Sequence, residues 1–559
     1  MIFIEPTKGQ TEPSWADIDW HTVETNVKRL QERIYRATTN GDWARVKNLQ
    51  KLLVRATSNK LLAIRRITQE NQGRHTAGVD GVLCDTPEAR LELFRGGLKL
   101  QGYHPLPVRR VYISKENGKS RPLGIPTVKD RVMQAVVKAA LEPEWEARFE
   151  ANSYGFRPGR RTMDAIGAIH TTVSHKGSSE WILDADISGC FDNIDQERLL
   201  AKLPVFAATL RRWLKAGVVE LGQFSPTDTG TPQGGVISPL LANVALDGME
   251  RLFDCEWPNG RPKAPSDRKG LDKGINLIRY ADDFVVTAPT REVLETYVRP
   301  RIEEFLRDRG LTISEAKTRI VHLDEGFNFL GFHIRRFAKR TLAVPQKEKV
   351  LKHLRGIKSY LGTNQQAPAG KVIGDLNPVI RGWANYYRYC AAKETFSKVR
   401  HRQWQMLWRW AKRRHPGKPL RWVKRRYFRN DGSWTFYAGE WNLFKPDSTP
   451  ITRYTKVIGK HSPYDPTLRP YWAERNAKQV ITETFSTGRR VLHQRQEYRC
   501  ALCNLPFVPG ERIQCDHLIV QYRGGSDDLD NKRLVHPWCH MQHHQRIGFK
   551  GPRPEPDEG

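Results

Sequence analysis

No run of about 18 apolar residues occurs in this 559-residue chain, so no helix is expected to cross a bilayer. The N-terminus also lacks the basic-then-apolar pattern of a secretory signal. Cysteine is scarce, eight in all, which argues against a disulfide framework in so long a fold. Acid is short as well: 61 Asp and Glu stand against 92 Lys and Arg, a formal net charge of +31. That excess suits a polyanion, with RNA or DNA the first candidate and an acidic membrane surface the alternative. The length leaves room for several domains and a sizeable core. Four of the cysteines, Cys500, Cys503, Cys515 and Cys539, crowd the C-terminal end, a pattern of metal binding in a reducing cytoplasm.

What is present is organised around Tyr280-Ala281-Asp282-Asp283. Apolar runs on either side, Ile275 to Ile278 and Phe284 to Val286, predict a β-hairpin with both carboxylates at its tip. Adjacent Asp residues repel, and a pair of Mg²⁺ ions would compensate them, since hard cations take carboxylate oxygens and bridge to phosphates. A solvated turn is the plainer alternative. Trp181-Ile-Leu-Asp184-Ala-Asp186 supplies a strand with Asp184 and Asp186 on one face. Asp186 beside Asp282 and Asp283 would make a two-metal site for in-line phosphoryl transfer. Phe191 can lie against a sugar, and the Gly230-Thr-Pro-Gln233-Gly-Gly loop puts Gln233 within reach of a base or backbone.

Earlier in the chain, Trp20 to Ile34 and Val46 to Leu53 keep helical spacing across Asn40-Gly41 and predict a helical hairpin. The glycines of Asn71 to Gly81 form a loop that admits a phosphate chain or simply turns. From Val108 the charge rises into a basic hairpin, in which Lys115 and Arg121 are the best candidates for phosphate contact. Phe156-Arg157-Pro158-Gly159-Arg160 reads as a second basic loop, each arginine of which is by default a solvated charge. After residue 340 three amphipathic helices carry Val350, Leu351, Leu354, Ile357 and Leu361, then Val379, Ile380, Trp383, Tyr386 and Tyr387, then Trp404, Leu407, Trp408 and Ala411. They predict a small bundle whose basic edge includes Arg409, Lys412, Arg413 and Arg414. Residues 443–470, rich in Pro, Thr and Lys, read as a linker able to touch DNA.

Near the C-terminus, Cys500-Ala-Leu-Cys503 and His536-Pro-Trp-Cys539 repeat the i, i+3 spacing of a structural Zn²⁺ knuckle. Cys515 or His543 could instead complete the tetrahedron, because His536 departs from the four-Cys pattern. Between the pairs lie Asp516-His517 and Asn531, and His540 follows the last Cys. A zinc-stapled DNA-binding module without catalysis is the competing reading.

The ordered set of motifs resembles the reverse transcriptases, and in detail the proteins encoded by bacterial group II introns. The basic hairpin, the Asp186 strand, the Pro-Gln-Gly loop and Tyr280 to Asp283 are followed by Gly310 to Arg319 and by Phe327-Asn-Phe-Leu-Gly-Phe332. The C-terminal segment resembles an HNH endonuclease. The resemblance implies an α+β multidomain right-hand polymerase with fingers, palm and helical thumb, and a C-terminal ββα-metal HNH zinc domain. Expected units are 1–150 (N-terminal extension and fingers), 151–340 (palm), 341–430 (thumb, or maturase domain X) and 431–490 (linker and DNA-binding region). HNH at 491–550 and a disordered tail at 551–559 complete the chain. Asp186, Ile187, Asp282 and Asp283 would hold two Mg²⁺ ions, with the three carboxylates catalytic. Lys115, Arg121, Phe191, Gln233 and Tyr280 would contact nucleotide or template, and Phe191 would exclude one sugar type. Asp516 and His540 would bind Mg²⁺ or another divalent ion, His517 would activate water, and Asn531 would orient the strand carrying His517. Arg409, Lys412, Arg413 and Arg414 would bind RNA.

The expected protein is an RNA-directed DNA polymerase, splicing maturase and DNA-nicking endonuclease. Its partners are intron RNA in a ribonucleoprotein, target DNA and dNTPs, in a bacterial cytoplasm and associated with the nucleoid. Alternatives are an RNA-binding splicing factor with an inactive polymerase, and a defence or retron-type reverse transcriptase.

Overall fold

The computed structural model describes residues 14–547 apart from 115–119, 256–262, 264–266, 339, 431 and 485–486. Lys115 and the acidic C-terminal tail lie outside the described residues. The fold mixes helices and strands throughout. Among the described residues no helix is long and apolar enough to cross a membrane.

The expected helical hairpin is Trp20–Thr39 and Trp43–Arg55. Asp19 and Asp42 start the two helices by accepting the backbone N–H of Thr22 (3.2 Å) and Arg45 (3.0 Å). A third helix, Thr57–Arg65, has almost no amphipathic pattern because buried Ser58, Asn59 and Arg65 interrupt its apolar side chains. All three share one core with the Val128–Arg148 helix.

A four-stranded antiparallel sheet forms the centre, in the order Asn276–Tyr280, Asp283–Ala288, Trp181–Asp186, Arg319–His322. Its residues alternate between two cores. Leu183, Ala185, Phe284 and Val286 join the N-terminal helices, whereas Ile182, Val285 and Ile278 join a second cluster with Phe327, Phe332 and Tyr387. Register is therefore fixed on both faces, since a one-residue slip would exchange the two sets. The basic hairpin is the strand pair Val108–Ser114 and Ser120–Ile125 in a second sheet.

The three expected bundle helices are Lys347–Thr363, Ala369–Tyr387 and Lys393–Arg414. Ile357, Leu361, Ile380, Leu407 and Ala411 are buried as expected, but Leu351 and Val379 are exposed. The bundle is narrower than the apolar spacing suggests.

Two expectations fail here. The segment 443–470 is no free linker: Val457 is fully buried in the second core, and its N–H donates to Asp164 at 2.6 Å. Tyr454 (3.0 Å) and Arg475 (2.9 Å) donate to the same buried carboxylate, so Asp164 anchors the strap. The second basic loop is not solvated either. Arg157 is 4% exposed, pairs with buried Glu146 at 2.8 Å and donates to the carbonyls of Glu150 and Ser153. Arg160 donates to the carbonyls of Ala151 and Gly459, both at 2.8 Å. These guanidiniums cross-link backbone and are not offered to phosphate.

The two ends of the described chain meet. His21 bonds the Cys503 carbonyl at 3.1 Å, Gln542 donates to Ile18 O at 3.1 Å, and Arg546 donates to Ala16 O at 2.8 Å. Arg65, paired with Glu24 and Glu70, lies between the rings of Trp20 (4.6 Å) and Trp538 (4.9 Å).

Candidate active sites and metal centres

The central hairpin turns at Ala281-Asp282, with Tyr280 paired to Asp283 and Ala281 at φ +58°. Buried Arg279 holds this left-handed turn by donating to the Ala281 carbonyl and to Asn243 Oδ1, each at 3.1 Å. Gly155 lies so close that a Cβ there would come within 2.3 Å of the Ala281 nitrogen. Across the sheet Asp186 stands in register opposite Asp283. The sequence thus brings the two expected strands together, with Asp282 in the turn.

The three side chains are not a closed cluster. Among the described residues, groups of His, Cys and acidic ligand atoms all within 4.8 Å of one another occur only in the C-terminal unit. Lys317 instead donates to Asp186, which is 8% exposed. Burial, then the charges of Asp282 and Asp186, pushes Asp283 up to about 7. Burial also raises Asp282 and Asp184, and Arg319 at 3.2 Å from Asp184 opposes the latter shift. The bond to Asp186 raises Lys317. Ile187 is a poor ligand by side chain: it is buried and apolar, and its N–H donates to the Asp282 carbonyl at 3.3 Å. Its main-chain carbonyl is the group it could offer.

Near these carboxylates a polar chain links the basic hairpin, the Gln233 loop and the short Cys190–Asn193 helix. Arg121 donates to Gln233 Oε1, and Gln233 Nε2 donates to Asp192, both at 2.8 Å. Asp192 went unnoticed in the sequence. Phe191 is nearly buried and meets exposed Phe156 edge-on at 6.3 Å. Tyr280 is half-buried beside a cavity that Arg161 and Tyr386 also line. In the Asn71–Gly81 loop, Arg109 and Arg131 take the Ala77 and Gly73 carbonyls (2.7 and 2.9 Å), so it is a packed turn.

On the bundle, Arg409, Lys412 and Arg413 are exposed. Arg414 is not their equal. It donates to the carbonyls of Gln365 (3.1 Å) and Ala367 and stacks on Trp410 at 4.8 Å, so its guanidinium is already spent on the fold.

The C-terminal unit is a hairpin, Gln514–His517 with Lys532–Val535, followed by the Pro537–Arg546 helix. Cys500, Cys503, His536 and Cys539 gather within 4.8 Å, so His536 and not Cys515 or His543 completes the set. Their composition is that of a closed metal knuckle. The second group is Asp516, His540 and His544. Asp516 accepts from Arg533 at 2.8 Å and lies 3.0 Å from His540, and these partners hold its carboxyl below the usual range despite burial. His544 was missed, although its i, i+4 spacing from His540 puts both on one helix face. His517, next to Asp516 along the strand, bonds Asp527 at 3.1 Å, and Lys532 pairs with Asp527 at 2.7 Å. Asn531 clasps the intervening loop through both atoms of Ile519's peptide group (2.8 Å each) and the Ser526 carbonyl (2.7 Å).

Comparison with known proteins matches four segments of the chain. Residues 113–334 match the family Reverse transcriptase (RNA-dependent DNA polymerase), and 15–96 match the N-terminal domain of reverse transcriptase. Residues 350–428 match the group II intron maturase-specific domain and 500–546 the HNH endonuclease family. A two-aspartate hairpin opposite a third aspartate, joined to a maturase-type bundle and an HNH unit, defines the class. The chain belongs to the group II intron-encoded reverse transcriptase and maturase family. It is 37% identical over 326 residues to Protein YkfC of Escherichia coli, covering 52% of this chain and 84% of that protein. It is 32% identical over 337 residues to Group II intron-encoded protein LtrA of Lactococcus lactis, covering 50% of this chain and 55% of LtrA. Maturase-like protein 1 of Euglena gracilis is 26% identical over 381 residues, covering 66% and 76%.

Proposed function

We propose that the chain is a multifunctional intron protein that reverse-transcribes RNA from a nicked DNA end, assists splicing of its intron RNA, and nicks target DNA. The observation that carries the reading is the register of Asp186 against Asp283 with Asp282 in the turn. In this reading the helical N-terminal unit and basic hairpin are the fingers, the central sheet the palm, and the bundle the thumb.

The donor set fits two Mg²⁺ ions: it is all oxygen, partly buried, and burial together with the neighbouring carboxylates pushes Asp283 up to about 7. When bound, the ions would lower the cost of ionising a primer 3′-OH and of releasing pyrophosphate. The chain does the rest. Lys317 holds Asp186 and balances its charge, Arg121 presents a cation to the incoming triphosphate, and Gln233 keeps Arg121 tied to Asp192. The Phe156–Phe191 edge would lie against the sugar of the incoming nucleotide. Tyr280, at the turn, would face the template–primer.

In the tail, Asp516, His540 and His544 would hold a divalent ion, and Zn²⁺ suits the Cys-rich knuckle. His517 would take the proton of the attacking water, aligned by Asp527, while Asn531 fixes the loop between them. Exposed Arg409, Lys412 and Arg413 would meet RNA phosphates, without Arg414.

Primer extension on an RNA template tests the central assignment. Asp282→Ala with Asp283→Ala should reduce extension about a thousandfold or more, a loss of several kcal/mol, while RNA binding persists. Normal extension by the double variant would overturn it.

A further inference from the structure

Between the Lys393–Arg414 helix and the Trp434–Ala438 strand lies a cavity of about 440 Å³ that neither metal site uses. Its volume lies in the range of small-molecule sites. Trp404, Trp434, Phe436 and Phe444 give it aromatic walls, and Arg400 and Lys445 also line it. Trp434 is 38% exposed, with the Lys424 ammonium 3.6 Å over its ring, so an aromatic face bordered by a cation stands at the surface.

Two donors make this more than an apolar groove. Gln403 is 2% exposed and lines the cavity, and its Nε2 has no hydrogen-bond partner among the described residues. Trp404 also lines it, with its indole N–H buried and without an acceptor among the described residues. Buried donors left unpaired are uncommon in native folds and call for a partner. The partner that suits these walls is flat and aromatic and carries acceptors on its edge. An anionic carboxylate fits poorly, because Asp447, held by Arg400 at 2.6 Å, already lines the space. A heteroaromatic base with ring nitrogens and carbonyl oxygens satisfies both requirements, and its phosphates would lie toward Lys445 and the basic surface. Trp434, Phe436 and Phe444 lie outside the matched maturase segment 350–428, so the cavity is made at its seam with the strap.

We infer that this cavity takes one unstacked nucleobase of a single-stranded nucleic acid, stacked on its tryptophans and hydrogen-bonded by Gln403 and Trp404. The inference rests on the reading that the chain binds nucleic acid, and adds a base-holding site remote from the polymerase carboxylates.

The test uses the full chain with labelled decamers of oligo(U), oligo(dT) and an entirely abasic backbone. Trp434→Ala should weaken binding of the base-bearing decamers about tenfold, the scale of one stacked base, and leave abasic binding unchanged. Trp434→Phe should restore most of that loss. Gln403→Leu should also weaken base-bearing decamers with little fall in Tm, since the Nε2 donor it removes has no partner among the described residues. The larger loss, on oligo(U) or oligo(dT), identifies RNA or DNA as the source of the base. If Trp434→Ala costs nothing, or costs the same on intact and abasic decamers, the base site is wrong while nucleic-acid binding stands. If the unaltered protein binds no decamer, both readings fall.

Discussion

The two candidate metal-binding regions are built in opposite ways. In the tail, Cys500, Cys503, His536 and Cys539 are already gathered, mostly buried, with their ligand atoms within 4.8 Å of one another. In the central sheet, Asp186, Asp282 and Asp283 are set by strand register but stay apart, and Lys317 pairs with Asp186. A closed set of soft ligands is a staple, because binding free energy becomes folding free energy. An open set of hard ligands carries a repulsion that cations arriving with substrate would relieve, which would suit turnover.

The largest effect that sharpens this contrast is loss of the staple. Cys500→Ser should release bound zinc and unfold the tail, since such sites contribute about 10–16 kcal/mol of apparent binding energy. His517→Ala should keep zinc and protease resistance yet lower nicking about 10²–10⁴-fold. Zinc content and strand nicking measured on both variants separate staple from chemistry. Normal nicking by His517→Ala would reduce the tail to a DNA-binding knuckle.

Acid should come next. Burial holds His353, stacked on Trp383 at 4.6 Å, down to about 4. The unfolded chain takes up a proton below about 6.5 while the folded bundle does not until about 4. Stability should therefore be lost as pH falls through that window, by up to about 3 kcal/mol. His353→Phe should keep the stack and remove this part of the pH dependence of thermal unfolding.

Lys317→Met probes the open site directly. It should destabilise the chelated protein by about 1–2 kcal/mol, discounted because the lysine is largely exposed, and added Mg²⁺ should recover the loss. A Tm deficit that persists in Mg²⁺ would make Lys317 a plain structural pair and break the contrast. The smallest change is in salt dependence. Replacing Arg409, Lys412 and Arg413 with Gln should flatten the RNA-binding slope by about 2, at roughly 0.7 per phosphate contact. Arg414→Gln should lower Tm and leave that slope alone.

The hairpin and its partner strand were legible because apolar runs broken by aspartates leave few other arrangements, and the C-terminal pairs because i, i+3 spacing brings ligands together locally. Lys317 was not, since it meets Asp186 across 131 residues of chain. Arg157 and Arg160 read as a basic surface loop because their partners, Glu146 and distant carbonyls, exist only after folding. The strap misled through composition: proline and lysine suggest a linker, but one buried Asp164 collects two of its donors, Tyr454 and Val457, and Arg475 from the helix that follows. His544 needed only the helix period to be found, whereas Asp527 lies on a loop and gave no signal at all.

The meeting of the chain's two ends has a metrical consequence. Because the tail grips Ala16, Ile18 and His21, and Arg65 lies over both the Trp538 and the Trp20 ring, it is bolted to the helices that pack against the central sheet. If Asp516, His517 and His540 nick and Asp186, Asp282 and Asp283 polymerise as proposed, the two sites sit at the two marks of a ruler set by these contacts. On a target duplex, such a ruler would count nucleotides between the cut and the insertion junction by distance alone, and report the same number whatever the intervening sequence.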